Sequence, residues 1–212
     1  LEGMEPTMSM GDDAAIAVLN QSSRLLSDYF RQSFAQVTNP AIDSIREKYV
    51  MSLDTYLGDK TNLVTPAVIN GYKLKSPLLT PELFNYVVSE AAEWKKVAQL
   101  ELSFDPQQET LELAIERIVN SASELVSSGV NFLVLSDRNI SANLVVIHAA
   151  MLVGAIHNQL IRQQLRNQVD LIVETATARD PHHFCVLLGF GASAIYPYFS
   201  YHLINEIANQ VH

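Results

Sequence analysis

Two adjacent histidines and the chain's single cysteine form the densest group of potential metal ligands in the sequence. His182, His183 and Cys185 lie within "ARDPHHFCVLLGFGAS", and imidazole and thiolate are the usual ligands of zinc. Asp180 and Pro181, which precede them, are typical of the N-cap and the first position of a helix. Adjacent helical side chains point about 100° apart, so the two imidazoles cannot hold one metal ion side by side. We therefore predict a helix start, with Cys185 as a small buried hydrophobic residue.

Gly189 and Gly191 could belong to a loop that binds phosphate. Such a loop follows a strand and opens a helix, so that backbone N–H groups at the helix N-terminus meet the phosphate. Here the order is reversed, because a predicted helix precedes the glycines and the predicted strand "SAIYP" follows them. The glycines are therefore predicted to end the helix and to turn the chain into the next strand.

Charged residues lie at or just after the ends of two apolar runs, in "NFLVLSD" and "VDLIVETA", that are typical of buried strands. They are Asp137, Arg138, Glu174 and Arg179. Ligands of parallel α/β folds bind at the carboxyl ends of the strands, so these four residues are candidates for a polar binding site. Alternatively, the acid and the base that follow each strand form an ion pair that only fixes a loop.

Two further histidines, His148 and His157, lie nine residues apart on a predicted helix over residues 142–167. That spacing places them on opposite faces of the helix, so each is predicted to be a hydrogen-bonded packing residue. Asp12 and Asp13 precede the first predicted helix, where acidic residues cap the N-terminus and complement the helix dipole. Neither pair indicates a ligand site.

The segments that position these residues alternate between strand and helix patterns from Lys73 onward. Five segments are predicted strands: "KLKSPLL", "VAQLELSFD", "NFLVLSD", "VDLIVETA" and "SAIYP". Apolar strands that alternate with helices imply a parallel sheet covered on both faces. We predict an α/β fold whose parallel β/α units resemble an incomplete or degenerate (β/α) barrel, with an open doubly wound sheet as the alternative.

The first third of the chain has a different pattern. Apolar residues at helical spacing predict a helix within residues 12–34, and a second helix is predicted to begin at Asp43 or Ser44 and to end near Gly58. We therefore predict a helical N-terminal segment, residues 1–72, followed by a parallel β/α region, residues 73–212.

Composition and charge exclude several classes of protein. A net charge of −9 and a pI near 5.0 argue against nucleic acid as a partner, because its recognition needs clustered Lys and Arg. A single cysteine excludes a disulfide framework and is compatible with the reducing environment of the cytoplasm. The longest apolar run, Leu144 to Ile156, is too short to span a membrane. The opening "LEGMEP" lacks an initiator Met, and we expect a piece excised from a longer chain.

Two hypotheses that follow from the residues alone remain open. One is an autonomous flavin- or phosphate-binding (β/α) enzyme with its site at Asp137, Glu174 and Arg179. The other is a metal-dependent hydrolase that uses the histidine pair and Cys185.

Several long segments, taken together, resemble the central domain of glutamate synthase. They are "EPTMSMGDDAAIAVL", "LLSDYFRQSFAQVTNPAIDSIREKYVMSLDTYLG", "FLVLSDR" and "HNQLIRQQLRNQVDLIVETATARDPHHFCVLLGFGASAIYPY". They occur in the family's order and cover nearly the whole chain. The sequence departs from the family at "NISANLVVIHAAMLVGAIHN", at His157-Asn158, where the family often has two further histidines, and in the segment 59–71.

The resemblance implies a multidomain enzyme that converts glutamine and 2-oxoglutarate into two glutamates. An amino-terminal glutaminase domain would release ammonia, and a carboxy-terminal domain with FMN and an iron–sulfur cluster would reduce the imine. The electron donor would be ferredoxin or a pyridine nucleotide, and the enzyme would be cytoplasmic or lie in a plastid or cyanobacterium.

The resemblance also implies what the central domain itself does. It would join the flanking domains and form part of the wall of the ammonia channel, with no catalytic residue, metal or cofactor of its own. Thr38 and Asn39, in "QVTNP", are our candidates for lining the channel. The alternative is that Asn39 only starts a turn before Pro40.

Overall fold

A computed structural model of the chain describes residues 17–19, 21–30, 43–58, 70–89 and 94–211. The chain forms two compact units, Leu1–Ala35 and Gln36–His212. In the first unit, the described residues form two 3-10 turns, Ala17–Leu19 and Leu26–Tyr29. The prediction of a continuous helix is wrong for this stretch. Ser22 and Ser23 separate the turns, and serine hydroxyls compete for backbone hydrogen bonds inside helices.

The second unit contains eight strands and six helices in its described residues. The strands are β1 (Thr55–Gly58), β2 (Gly71–Leu74), β3 (Val97–Glu101), β4 (Ser103–Phe104), β5 (Phe132–Ser136), β6 (Val145–Val146), β7 (Asp170–Glu174) and β8 (Ala194–Tyr196). The helices are α1 (Ser44–Val50), α2 (Pro81–Ser89), α3 (Leu111–Ser127), α4 (Ala149–Arg162), α5 (Pro181–Gly189) and α6 (Tyr198–Val211).

A parallel sheet of four strands, in the order β3-β5-β7-β8, forms the centre of this unit. Its register pairs Phe132 with Asp170 and Val173 with Ile195. Beyond β8, Leu78 forms a parallel bridge with Ile195. The predicted α/β class and the parallel sheet are confirmed, whereas closure of a barrel is not: within the described residues, β3 lies at one edge and Leu78 extends the other.

The handedness of the connections explains how both faces of the sheet are covered. The steps β3-β5-β7-β8 all run in one direction, so right-handed crossovers place α3, α4 and α5 on the same face. The connection through α2 runs back from Leu78 to β3, and α2 therefore covers the other face. There, Val87 of α2 packs with Phe132, Ile172 and the hairpin residue Leu57. This arrangement is typical of an open, doubly wound sheet.

Three predicted helix boundaries are wrong. Helix α1 ends at Val50 rather than near Gly58, because Thr55–Gly58 pairs with Gly71–Leu74 as an antiparallel hairpin.

Helix α4 begins at Ala149 rather than at 142, because the short strand β6 pairs with β4 just before it. It ends at Arg162 rather than at 167, because Gln164 has a φ of +60°, which is not helical. Within the described residues, none of the helices is both long enough and apolar enough to cross a bilayer.

Candidate functional site at the carboxyl ends of the strands

The histidine pair lies at the start of α5, as predicted. The Asp180 carboxylate accepts from the backbone N–H of His183 at 2.9 Å, and Pro181 occupies the first helical turn. His183 is buried, and its Nδ1 accepts from the backbone N–H of Arg179 at 3.1 Å. Its proton therefore lies on Nε2, which is 3.5 Å from an Asp180 oxygen. His183 fixes the loop between β7 and α5 through these contacts.

Cys185 does not behave as predicted. Its side chain is exposed, whereas Val186 and Leu187 next to it are buried. The prediction of a buried cysteine is wrong because Cys185 lies two positions after the buried His183, on the outward side of the helix. In the described part of the chain, no three His, Cys, Asp or Glu side chains are grouped so that they could hold a metal ion.

The two glycines end α5, and one of them permits a close helix contact. Helix α5 ends at Gly189, and Gly191 has a φ of +113° before β8 begins. A Cβ atom on Gly191 would collide with Nδ1 of His157 on α4. Across the same contact, a Cβ atom on Gly154 would lie 2.8 Å from the Phe190 ring. The predicted turn is confirmed, and it packs directly against α4.

Arg166 connects this turn to α4 and to the amino end of β7. Its guanidinium donates to Nδ1 of His157 at 2.9 Å, to the Val169 carbonyl at 2.7 Å and to the Gly191 carbonyl at 2.7 Å. Burial lowers the pKa of His157, and so does the Arg166 charge; burial also lowers the pKa of Arg166. The prediction for His157 is confirmed. Nothing in the sequence near Arg166 indicated that it would connect three elements.

His148 is the N-cap of α4 rather than a residue within the helix. Its Nδ1 accepts from the backbone N–H of Ala150 at 3.2 Å. Burial lowers the pKa of His148, and nearby His183 lowers it further. His148 is thus a hydrogen-bonded structural residue, as predicted, although its position in the helix differs from the prediction.

At the carboxyl ends of the strands, Asp137 lies at the centre of a buried hydrogen-bond network. One of its carboxylate oxygens accepts from the Thr175 hydroxyl at 2.5 Å, and the backbone N–H of Ala176 donates to the carboxylate at 3.0 Å. Burial raises the pKa of Asp137. Burial, followed by the charge of this carboxylate, raises the pKa of Tyr198.

Arg138 pairs with the buried carboxylate of Glu174. Arg138 Nε donates to Glu174 Oε1 at 2.7 Å, and the Ser136 hydroxyl donates to the other oxygen at 2.7 Å. The Glu174 side chain is 6% exposed and the Arg138 side chain is 52% exposed. The guanidinium carbon lies 4.1 Å from the centre of the Tyr198 ring. The ion pair thus connects the ends of two neighbouring strands. Its carboxylate is buried, and its guanidinium is half exposed to solvent.

Of the four candidate residues, the structure brings three together. Asp137, Arg138 and Glu174 lie side by side at the ends of β5 and β7. The ion pair joins Arg138 to Glu174 rather than to Asp137, and Asp137 binds Thr175. Arg179 has an exposed side chain and lies at the start of α5.

A pocket of ≈ 430 Å³ opens beside Arg138, between the sheet and α6. Its lining includes Arg138, Tyr196, Tyr198, Phe199, His202 and Asn205. Sequence reasoning missed the residues from α6. The signal that could have found them is the aromatic stretch "IYPYFSYH", which begins within the buried strand β8 and continues into α6.

Comparison with known proteins identifies the family. A family model described as "Glutamate synthase central domain" matches residues 1–212. The chain belongs to the glutamate synthase central domain family.

Relatives of this central domain include glutamate synthases from a yeast, a red alga and a bacterium. Glutamate synthase [NADH] of Saccharomyces cerevisiae is 45% identical over 205 residues, which are 93% of this chain and 10% of the yeast protein. Ferredoxin-dependent glutamate synthase of Cyanidium caldarium is 42% identical, over 93% of this chain and 13% of the algal protein. Glutamate synthase [NADPH] large chain of Bacillus subtilis is 40% identical, over 94% of this chain and 13% of the Bacillus protein. The chain thus spans only 10–13% of the length of these relatives.

Two pairs of residues that sequence reasoning singled out in the central domain lie outside the described residues. They are Asp12 with Asp13, predicted to cap a helix, and Thr38 with Asn39, predicted to line a channel. Both predictions stay predictions.

Proposed function

We propose that this central domain is a structural part of a glutamate synthase that converts glutamine and 2-oxoglutarate into two glutamates. It joins a glutaminase domain to an FMN-binding domain that also holds an iron–sulfur cluster, and it forms part of the wall of the channel through which ammonia passes. Chemistry takes place in the flanking domains. The division into a segment 1–72 and a β/α region 73–212 belongs to the same proposal. Two observations support it. The family model matches the whole chain, and α6 exposes apolar side chains to solvent in the chain alone.

Helix α6 carries the argument for a joining role. Residues 202–210 are all exposed, and Glu206 is the only Asp, Glu, Lys or Arg in the helix. Leu203, Ile204 and Ile207 are 42%, 59% and 41% exposed. A helix of this length is marginal in water without packing, and exposed apolar patches mark sites of protein contact. We infer that another domain of the same polypeptide covers α6.

A second apolar surface lies in and after α1. All residues of α1 are exposed, including Ile45, Tyr49 and Val50, and the exposed surface continues with Met51 and Leu53. Each of these five side chains is more than 60% exposed. A domain that joins two neighbours needs two contact surfaces, and α1 and α6 supply one each.

The joining role can be tested in the full-length enzyme that contains this domain. Substitution of Leu203 and Ile207 by Asp should loosen the contact at α6, because each introduces charge into an apolar interface. The expected result is more glutamine hydrolysed for each glutamate formed by reduction, since released ammonia escapes before it is used. Asn209→Asp, at an exposed polar position that points away from Leu203 and Ile207 on the same helix, is the matched control and should leave the ratio unchanged.

The isolated chain supplies the second part of this test. The double variant should unfold at the same urea concentration as the wild type, because both side chains are already exposed in the chain alone. Unchanged coupling in the full-length variant would contradict the joining role.

The channel role can be tested at Thr38 and Asn39. Thr38→Trp should obstruct a channel that this residue lines, so glutamate synthesis from glutamine should fall while synthesis from added ammonium continues. The same loss with both nitrogen sources would count against a channel position.

The competing function, a flavin- or phosphate-binding enzyme, makes a different prediction. The purified chain should then bind FMN or a sugar phosphate, and its melting temperature should rise with ligand concentration. The structural role predicts flat melting curves and a colourless chain without glutaminase activity. Stoichiometric FMN in the purified chain would refute it.

A further inference from the structure

The guanidinium of Arg138 is held in place although it is half exposed. Glu174 binds its Nε at 2.7 Å, and the group lies over the Tyr198 ring, 4.1 Å from its centre. Among the described residues, no hydrogen bond to the two terminal nitrogens is found. A fixed arginine with a free pair of N–H donors is suited to bind both oxygens of a carboxylate.

The adjacent pocket provides space of mixed polarity for the rest of a ligand. Tyr196 of β8 lines it, together with Tyr198, Phe199, His202 and Asn205 of α6. Its volume, ≈ 430 Å³, falls within the range of pockets that bind small molecules. The pocket also lies at the carboxyl ends of parallel strands, where ligands of α/β proteins bind.

The charges behind the pocket limit the charge of the ligand. Glu174 and Asp137 are both buried next to Arg138, at 4% and 2% exposure. A doubly charged anion such as phosphate would be repelled by these carboxylates more strongly than a single carboxylate. Among anions, the site therefore favours a single carboxylate over phosphate.

We propose that the pocket beside Arg138 binds a small monocarboxylic acid, with its carboxylate on the terminal nitrogens of Arg138 and its apolar body against Phe199 and Tyr198. The joining role described above does not require this site, and the site does not depend on that role.

A titration of the 212-residue chain with benzoate tests the proposal. Isothermal calorimetry and two-dimensional NMR should show saturable binding with a dissociation constant of about 1 mM or tighter, and the shifted resonances should include those of Phe199, His202 and Asn205. Benzamide has the same shape without the charge and should bind at least about tenfold more weakly, because a hydrogen bond to a charged group is lost. Inorganic phosphate should also bind more weakly than benzoate.

Two variants separate the pocket from the stability of the chain. Arg138→Lys keeps the charge beside Glu174 but loses the paired donors, and it should weaken benzoate binding about tenfold. Arg117→Lys is its matched control, because Arg117 also pairs with a glutamate (Glu109, at 2.6 Å) and is similarly exposed. Asn205→Asp adds a negative charge to the lining without touching the core, and it should also weaken binding. Gln210→Asp is its control on the same helix.

Several outcomes would overturn the proposal. They are the absence of saturable binding, equal affinity for benzoate and benzamide, tighter binding of phosphate, or equal affinity of the Arg138→Lys and Arg117→Lys variants.

Discussion

The buried carboxylate of Asp170, at the start of β7, accepts a hydrogen bond from the backbone N–H of Gly58 at 2.6 Å. Gly58 is the last residue of β1, so this bond connects the β1-β2 hairpin to the central sheet. The Asp170 charge also acts on the half-buried guanidinium of Arg166, whose pKa it raises against the larger effect of burial.

Asp170→Ala is therefore expected to lower the free energy of unfolding by about 1–3 kcal/mol, because the partly buried Gly58 N–H loses its acceptor. Urea unfolding measures the change. Asp170→Asn keeps an acceptor oxygen and should cost less. A chain that tolerates Asp170→Ala without loss would show that the hairpin is held by other contacts.

Gly191→Ala is expected to destabilise the chain by about 1–3 kcal/mol, because φ at this position is +113° and the added methyl group collides with His157. Gly189 is the matched control, since a Cβ atom there meets no atom within 4 Å and the residue ends a helix. Gly189→Ala should be neutral or stabilise by up to about 1 kcal/mol. Thermal unfolding of both variants compares them, and equal losses would contradict the assigned contact.

Stability should fall at mildly acidic pH. Burial and Arg166 lower the pKa of His157, so the folded chain favours the neutral ring that accepts from Arg166. A lowered pKa contributes stability above the unfolded value of about 6.5, and this stability is lost as the pH falls towards the folded value. His148, whose pKa burial also lowers, acts in the same direction.

Urea unfolding at a series of pH values below about 6.5 measures this loss. His157→Gln should reduce the pH dependence. Identical curves for the wild type and His157→Gln would rule out His157 as a source.

The N-cap of α5 should matter through its oxygen rather than its charge. Asp180→Ala removes the acceptor for the His183 N–H and should cost about 1 kcal/mol. Asp180→Asn retains an acceptor and should cost much less, as measured by urea unfolding. Equal losses would point to the charge on Asp180 instead.

Local patterns in the sequence predicted the strands of the sheet and the start of α5. The continuous apolar segments at 132–136 and 170–174 are buried strands, and Asp180 with Pro181 begins a helix. Each of these predictions depends on residues that are close together in the chain, where periodicity and capping act directly.

The partners of the charged residues could not be predicted in the same way. Arg138 pairs with Glu174 and Asp137 binds Thr175, each across two neighbouring strands. These contacts follow from the register of β5 against β7, which places Ser136 opposite Glu174. The pairing of β4 with β6 is likewise a contact between distant segments, and because of it α4 begins further along the sequence than predicted.

The bridge between Leu78 and β8 has a consequence for the order of folding. The Leu79 N–H donates to the Ile195 carbonyl at 2.8 Å, and the Ile195 N–H donates to the Pro77 carbonyl at 2.8 Å. Contacts between such distant segments form slowly, and a chain leaves the ribosome from its N-terminus. Residues 77–79 therefore remain without their partner until nearly the whole β/α region has been synthesised, and this edge of the sheet is the last to be completed.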